Sequence, residues 1–396
     1  MTLQERFAPE QLIAAACEEA GSDDFGDGPG YEGWQAGLQR LTDGLINEAR
    51  LSAIGVEIAY LDIMRALKHR LGVIAWRNEH PEVAREPVTA PIVIVGQPRT
   101  GTTILFDLLA QDPRFRAPLT WEVANPHPPP ETATFDTDPR IELAAVASAV
   151  SEAIIPGFQA IHPSGPQRAQ ECVSITAGDF RSLLFSTVFH VPSYTRWLLW
   201  EADMAPAYRY HRMFLQLLQW HYPAEPWLLK TPGHQWCLPA LLDEYPDATL
   251  VYTHRDPLKV IASTASLTAH LQRLASDHTS VPVLGAEWAD YLVEGNNRSV
   301  DAREDRVVAP GRAVDITFGA FMTEPFDTVS AVYDRLGLEL TPSVEARMRA
   351  FLADNPSDKH GVHAYTFSAT GLDERATRRR TARYEEYFHV PRENLG

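Results

Sequence analysis

Apolar residues recur at helical spacing along the first 88 positions. The segments APEQLIAAACEEA, EGWQAGLQRLTDGLINEARL and GVEIAYLDIMRALKHRLGVIAW repeat apolar residues every three or four positions, the period of an amphipathic helix. The stretch GSDDFGDGPGYEG between the first two is rich in turn formers, and its Gly26-x-Gly28-x-Gly30 spacing follows no predicted strand, so it indicates a surface loop. We therefore predict a helical N-terminal extension over residues 1–88.

From residue 89 onward, short continuous apolar runs replace this pattern. Pro91–Val95 in VTAPIVIVG and Ala248–His254 in DATLVYTH read as buried strands, and EPWLLKTP and GRAVDITF are shorter candidates. A helix pattern follows each long strand: TTILFDLLAQDP stops before Pro113, and RDPLKVIASTASLTAHL has a proline near its first turn. Strands that alternate with helices predict an α/β fold, with a central parallel sheet flanked by helices.

The remaining chain fills out this plan. Residues 126–225 are mainly helical and follow the start of a proline-rich loop, ANPHPPP. We predict one α/β domain over residues 89–396, in which this helical region is an insertion. A length of 396 residues suits one large domain with an appendage.

Composition and charge restrict the classes of function. A net charge of −17 argues against a nucleic-acid surface, because phosphate neutralisation needs clustered Lys and Arg. It permits a small anionic ligand held by local arginines and backbone N–H groups. Cys17, Cys172 and Cys237 match no metal or disulfide pattern and favour a reducing compartment. With neither a signal-peptide pattern nor a long uncharged apolar run, we expect a cytoplasmic protein without a membrane span.

The loop after the first strand has the spacing of a phosphate-binding loop but lacks its lysine. In VGQPRTGTT, Gly96 and Gly101 flank four residues, as in G-x-x-x-x-G-K-[ST], and Thr102 stands where the lysine would be. Backbone N–H groups and the positive end of the following helix suit an anion. Thr102 and Thr103 add hydroxyl donors, and Arg99 can reach a group just beyond the bound phosphate. The alternative is a glycine turn that only joins strand to helix.

A second candidate anion site follows the second long strand. Arg255 stands at its carboxyl end, where ligands of open α/β sheets bind, and Ser263 lies eight residues further along the helix. The alternative is that Arg255 pairs with Asp256 or Glu244. Two separate anion sites without a terminal-phosphate lysine suggest a nucleotide that is phosphorylated at both ends.

The loop GQPRTGTT and the segment LLKTPGHQWCLPALLDEYPDATLVYTHRDPLKVIASTASL together resemble the sulfotransferases that use adenosine 3′-phosphate 5′-phosphosulfate (PAPS). The chain is most similar to a bacterial branch with a helical extension and the motif PRTGTT; WEVANPHPPP and KHGVHAYTF are further matches. PAPS has no γ-phosphate, which explains the missing lysine.

The resemblance assigns the parts of the donor site. It implies that the 5′-phosphosulfate is held by the loop residues Gly96, Gln97, Pro98, Arg99, Thr100, Gly101, Thr102 and Thr103. Arg255 and Ser263 would hold the 3′-phosphate. A loop over residues 355–370, with Lys359, His360 and Tyr365, would cover the nucleotide, and no metal is expected.

The implied reaction is in-line attack by an acceptor hydroxyl or amine on sulfur, with adenosine 3′,5′-bisphosphate leaving. In cytosolic members a lysine, a threonine and a histidine run consecutively; here Lys230 and Thr231 are in register and His234 is displaced by two residues. Tyrosylprotein members use a glutamate about twenty residues past the loop arginine, and Glu122 lies 23 residues past Arg99. The base is therefore His234 or Glu122, with Lys230 and Arg99 as cations near the reacting group.

The acceptor and two rival functions stay open. The aromatic-rich segments DFRSLLFSTVFHVPSYTRWLLW and MFLQLLQWHYPAEPW suit a small aromatic or lipid-like acceptor, although such stripes also form ordinary core. A P-loop kinase or NTPase would need a lysine at position 102 and a magnesium-binding aspartate, for which Asp256 is the candidate. A non-catalytic nucleotide-binding protein would keep only the loop. The oligomeric state is not predicted.

Overall fold

The computed structural model describes residues 2–26, 33–154, 165–223, 226–356 and 365–395. Gly28 and Gly30 of the N-terminal loop, and Lys359 and His360 of the predicted covering loop, lie outside the described residues.

Four parallel strands form the centre of the molecule. They are β1 (Ile92–Gly96), β2 (Leu228–Lys230), β3 (Thr249–His254) and β4 (Ala313–Thr317), in the spatial order β2-β1-β3-β4. The predicted parallel sheet is confirmed. β1 is buried on both faces and β3 nearly so, which explains their continuous apolar sequences. Because the chain leaves β1 for β2 and returns on the other side as β3, β1 and β3 flank the topological switch point where ligands of such sheets bind.

Helices surround the sheet. In chain order they are α1 Leu3–Arg6, α2 Pro9–Ala20, α3 Trp34–Asn47, α4 Ala53–Glu79, α5 Thr102–Leu109, α6 Thr120–Ala124, α7 Arg140–Ile154, α8 Cys172–Thr176, α9 Leu183–Val188, α10 Pro192–Trp200, α11 Ala205–Gln219, α12 Leu238–Glu244, α13 Pro257–Gln272, α14 Val281–Glu304, α15 Phe318–Thr323, α16 Pro325–Leu336, α17 Pro342–Asp354 and α18 Glu374–Tyr387. Short 3₁₀ turns lie at Pro81–Arg85, Phe135–Thr137, Ala177–Asp179, Pro232–Trp236 and Phe367–Thr370.

The N-terminal helices share a hydrophobic core with the helical insertion. Leu12, Leu38 and Leu67 of α2, α3 and α4 belong to the same buried cluster as Phe185 of α9 and Ile261 of α13. The extension is thus packed against the helices beside the sheet. The boundary at residue 88 stays a prediction about chain organisation.

The proline-rich loop ANPHPPP lies against the long helix α4. His69 Nε2 is 2.9 Å from the carbonyl oxygen of Ala124, and the His127 ring fills the space above Gly72, where an added Cβ would lie 1.9 Å from His127 Nε2. Burial, together with the nearby Arg65, lowers the pKa of His69 to about 3, so its ring is neutral at pH 7. This contact connects the extension to the loop that precedes the insertion.

No helix in the described part of the chain has the length and apolar character needed to cross a bilayer. Among the same residues, no group of three or more His, Cys, Asp and Glu side chains is arranged to hold a metal ion.

Gly72→Ala is expected to destabilise the fold, because the new methyl group overlaps the His127 ring. Overpacking of this kind typically costs about 1–3 kcal/mol. Urea unfolding measures the loss. The control is Gly319→Ala in α15, where an added Cβ meets nothing within 4 Å, so its unfolding free energy should change by less than about 1 kcal/mol. Equal stability of the two variants would contradict the packing described here.

Candidate active site

The glycine loop occupies the carboxyl end of β1 at the switch point, and its shape depends on both glycines. Gly96 has φ +145° and Gly101 has φ +88°, conformations that favour glycine. A Cβ on Gly96 would lie 2.3 Å from Thr253 Oγ1 of β3, so only glycine allows this approach. Helix α5 begins at Thr102, directly after the loop. The sequence prediction of strand, loop and helix is confirmed here.

Two predicted loop ligands turn their side chains into the protein. Gln97 donates to Asn296 Oδ1 at 2.6 Å and to the carbonyl of Leu292 at 2.8 Å. Thr100 Oγ1 donates to the carbonyl of Gln97 at 2.6 Å and lies 2.6 Å from Thr253 Oγ1. Both side chains are buried and fix the loop against α14 and β3. They leave a donor role only to their backbone N–H groups.

The structure brings together three of the residues predicted for the two anion sites. Arg99 has φ +66°, and its Nε donates to Ser263 Oγ at 3.0 Å. Arg255 Nη1 donates to the backbone carbonyl of Arg99 at 2.8 Å. Burial, with Arg255 nearby, lowers the pKa of Arg99 below its ordinary value, although the group stays cationic at pH 7. Two guanidinium groups therefore stand beside the glycine loop.

Arg255 pairs with neither Asp256 nor Glu244. Its Nε and Nη2 donate to the two carboxylate oxygens of Glu393 at 2.9 and 3.0 Å, and its guanidinium carbon lies 3.9 Å from the centre of the Phe318 ring. The Tyr365 hydroxyl is a further hydrogen-bond partner of Arg255. The C-terminal part of the chain thus reaches the Arg255 side chain through Tyr365 and Glu393.

Lys230 lies on the other side of the loop helix. Its Nζ donates to Thr103 Oγ1 at 3.2 Å and forms an ion pair with Glu171, whose second oxygen accepts from Thr231 Oγ1 at 3.4 Å. Lys230 is 1% exposed, so the Glu171 carboxylate compensates a buried charge. Sequence reasoning missed Glu171, because it lies 59 residues from Lys230 and belongs to no recognisable motif.

His234 stands in a chain of hydrogen bonds. Its Nδ1 is 2.7 Å from Tyr208 Oη, which is 3.2 Å from Cys237 Sγ, and Sγ in turn donates to the carbonyl of Gly233 at 3.2 Å. A carbonyl only accepts. Only one arrangement uses all three contacts. In it, the Cys237 thiol donates to the carbonyl, the Tyr208 hydroxyl donates to the Cys237 sulfur, and His234 Nδ1–H donates to the Tyr208 oxygen.

In that arrangement, His234 Nε2 carries a lone pair. Nε2 is buried and has no hydrogen-bond partner among the described residues. Burial, with the neighbouring His211, holds the pKa of His234 well below its ordinary value of 6.5. The ring is thus neutral at pH 7, with a lone pair at Nε2 that can accept a hydrogen bond.

Glu122 lies in a different environment. It is fully buried, and both its oxygens are engaged by Arg116, Nη1 at 2.7 Å from Oε2 and Nη2 in close contact with Oε1. Oε2 also accepts from the N–H of Leu119 at 2.9 Å, which caps helix α6. Because Arg116 and the Leu119 N–H together occupy both carboxylate oxygens, these contacts describe a structural ion pair.

A cavity of about 230 Å³ opens beside His234. Thr231 and Tyr208 line it together with His234, and Arg181 and Arg298 contribute cationic side chains. Most of its remaining wall is apolar and comes from the helical insertion and from the turn after β2, with Leu183, Leu198, Leu199, Trp200, Met204 and Trp236. Glu122 is not part of its lining. The cavity thus combines an apolar wall with several polar side chains, among them the neutral ring of His234.

Comparison with known proteins identifies relatives of almost the whole chain. The sequence profile described as "Sulfotransferase family" matches residues 91–342. The chain is 31% identical to the crystal structure of sulfotransferase STF9 from Mycobacterium avium, with a TM-score of 0.86 over 98% of this chain and 97% of that one. For sulfotransferase STF1 from Mycobacterium tuberculosis the identity is 28% and the TM-score 0.82, covering 94% and 98%.

A curated relative has a named acceptor. The omega-hydroxy-beta-dihydromenaquinone-9 sulfotransferase of Mycobacterium tuberculosis is 26% identical over 281 residues, which cover 70% of each chain.

Glu122→Gln is expected to lower the free energy of unfolding by about 3–5 kcal/mol, because it leaves the buried Arg116 without its counter-charge. Thermal and urea unfolding measure the loss. The exposed Glu142 of α7 provides the control, and Glu142→Gln should leave stability unchanged. A Glu122→Gln protein as stable as the wild type would argue against the structural role.

Proposed function

The chain belongs to the sulfotransferase family, and from that premise we propose that it transfers a sulfuryl group from PAPS to a hydroxyl group on an apolar, lipid-like acceptor. The observation that carries the proposal is the position of the lysine-free phosphate loop. It has Arg99, Ser263 and Arg255 on one side and Lys230 on the other.

The donor fits this distribution of charge. The loop N–H groups and the start of α5 suit the 5′-phosphosulfate, and Arg255 with Ser263 suits the 3′-phosphate. Tyr365 contacts Arg255 and adds a wall to the same site. With Thr102 in place of a lysine, the loop has no cation for a γ-phosphate.

The transfer step needs one base and one cation. The acceptor oxygen attacks sulfur and gives its proton to His234 Nε2, so that a new sulfur–oxygen bond forms. The bond from sulfur to the bridging oxygen of PAPS breaks, and its electron pair stays on that oxygen, where Lys230 stabilises the developing charge. Glu171 holds the Lys230 ammonium group beside Thr103.

The contacts of the two candidate bases favour His234. Its Nε2 is unpartnered among the described residues and its ring lines the cavity, whereas the Glu122 oxygens are occupied by Arg116. The Glu171 carboxylate is the competing choice, because it also lies beside Lys230 and Thr231.

The acceptor is proposed from the cavity. Its apolar wall matches a hydrocarbon group, and its volume of about 230 Å³ holds a small alcohol or the hydroxyl-bearing end of a longer chain. The mycobacterial relative that acts on an omega-hydroxy menaquinone derivative is consistent with the second type. We therefore propose an acceptor whose terminal hydroxyl enters the cavity while the rest of its chain stays outside.

A kinase reading has less support. Both oxygens of Asp256, the candidate magnesium ligand, are bound by Arg378 at 2.6 and 2.7 Å, and the same carboxylate caps helix α13. Because both oxygens are engaged in this way, Asp256 acts as a structural group and not as a magnesium ligand.

Adenosine 3′,5′-bisphosphate should stabilise the protein against thermal unfolding more than ATP or adenosine 5′-phosphate does, without added metal. At about 100 times its dissociation constant, a ligand contributes about 2.7 kcal/mol, enough for a clear shift in Tm. Selective stabilisation by ATP would overturn the choice of donor and favour a kinase.

His234→Ala should lower kcat with PAPS and a long-chain primary alcohol by about 10²–10⁴-fold and leave bisphosphate affinity unchanged, because only the base is removed. Added imidazole should restore part of the rate. Because burial lowers the His234 pKa, protonation removes the base only at acidic pH, so the acidic limb of wild-type kcat/KM should lie well below pH 6.5.

Glu171→Gln provides the comparison. It should reduce kcat less than His234→Ala does, since the amide still accepts from Lys230 but no longer balances its charge. A larger loss in Glu171→Gln, with no imidazole rescue of His234→Ala, would transfer the role of base to Glu171.

A further inference from the structure

The last residues of the described chain are attached to the arginine of the second anion site. Glu393 accepts two parallel hydrogen bonds from Arg255, at 2.9 and 3.0 Å, and its backbone N–H donates to Asp256 Oδ2 at 2.7 Å. Leu395 accepts through its carbonyl from the N–H of Phe367 at 3.3 Å. Residues 390–395 thus lie across the start of helix α13.

The contact uses the groups of Arg255 that an anion would need. A guanidinium group has five N–H donors, and its Nε/Nη2 edge matches the spacing of two oxygens of a carboxylate or a phosphate. Glu393 takes this edge, and the Arg99 carbonyl takes one N–H of Nη1. Phe318 covers one face of the group. With Glu393 in place, the pair carries no net charge.

A phosphate group that approaches Arg255 therefore meets a carboxylate on the same guanidinium. The two anions repel each other and require the same donor edge. Glu393 is 30% exposed, so its side chain can move towards solvent. The neighbouring contacts of this segment do not depend on the pair between Glu393 and Arg255. Arg378 holds Asp256, and Arg392 contacts Glu385 at 3.2 Å.

We propose that Glu393 is an internal competitor of the 3′-phosphate for Arg255, and that it sets the affinity for the nucleotide. The inference rests on the proposed function, because it takes Arg255 as the 3′-phosphate ligand. Binding of the nucleotide exchanges one anion for another at Arg255, and return of the carboxylate assists release of the bisphosphate product. Glu393 is a residue that acts through Arg255 and touches no reacting atom.

The test is the affinity of Glu393→Gln for two nucleotides that differ only in the 3′-phosphate. Isothermal titration with adenosine 3′,5′-bisphosphate should show binding about tenfold tighter than in the wild type, because a charged hydrogen-bonded competitor has become neutral. Affinity for adenosine 5′-phosphate should be unchanged. KM for PAPS should fall in parallel, and Glu393→Asp, which keeps the charge, should resemble the wild type more closely than Glu393→Gln does.

Glu386→Gln is the matched control. It makes the same charge change on an exposed residue of α18, seven positions earlier, and should bind both nucleotides like the wild type. Structural damage at position 393 would weaken binding, so tighter binding cannot result from it. Unfolding curves of both variants check that the fold is kept.

The outcomes separate the two proposals. A wild-type protein that prefers the bisphosphate, with a Glu393→Gln variant of equal or weaker affinity, would overturn the competition and leave the proposed function intact. If Glu386→Gln bound the bisphosphate as much more tightly as Glu393→Gln does, the effect would come from net charge alone, and the competition would also be overturned. A wild-type protein that binds both nucleotides equally would overturn the 3′-phosphate site itself, and the inference with it.

Discussion

The arrangement of the site depends on the balance of positive charge at the carboxyl edge of the sheet. Arg99, Lys230 and Arg255 converge around one glycine loop, and desolvated cations need partners at short distance. Each has one: Ser263 accepts from Arg99, Glu171 pairs with Lys230, and Glu393 pairs with Arg255. The partners come from three distant parts of the chain, so this balance also determines which segments meet at the loop.

The loop itself makes this convergence possible. Gly96 allows β1 and β3 to approach so closely that Thr253 contacts Thr100. Gln97 anchors the loop to α14. Rigid surroundings of this kind fix the directions of the remaining donors. A loop whose shape is fixed in this way, with cations on both sides, suits a ligand with two separate anionic groups, because such a ligand can bind without refolding of the loop.

The acceptor side follows a different rule. Its wall is built from the insertion helices, which share their core with the N-terminal extension, so changes in the extension can affect the shape of the cavity. The polar groups in that wall include His234, which is held through Tyr208 and Cys237. This combination of an apolar wall with oriented polar groups suits the proposed acceptors, which share a terminal hydroxyl and differ in the rest of their chain.

The sequence by itself determined the strands, the glycine loop, the helix after it and the family, because these depend on local periodicity and on backbone conformations that few residues allow. It also identified Arg99, Lys230, Arg255, Ser263 and His234 as candidates. Only the tertiary structure decided their partners. Glu171 and Glu393 lie 59 and 138 residues from the cations they bind, and Glu122, which the family resemblance suggested as a base, is paired with Arg116. Local spacing carries no information about such pairs, since the fold alone brings distant carboxylates to a buried charge.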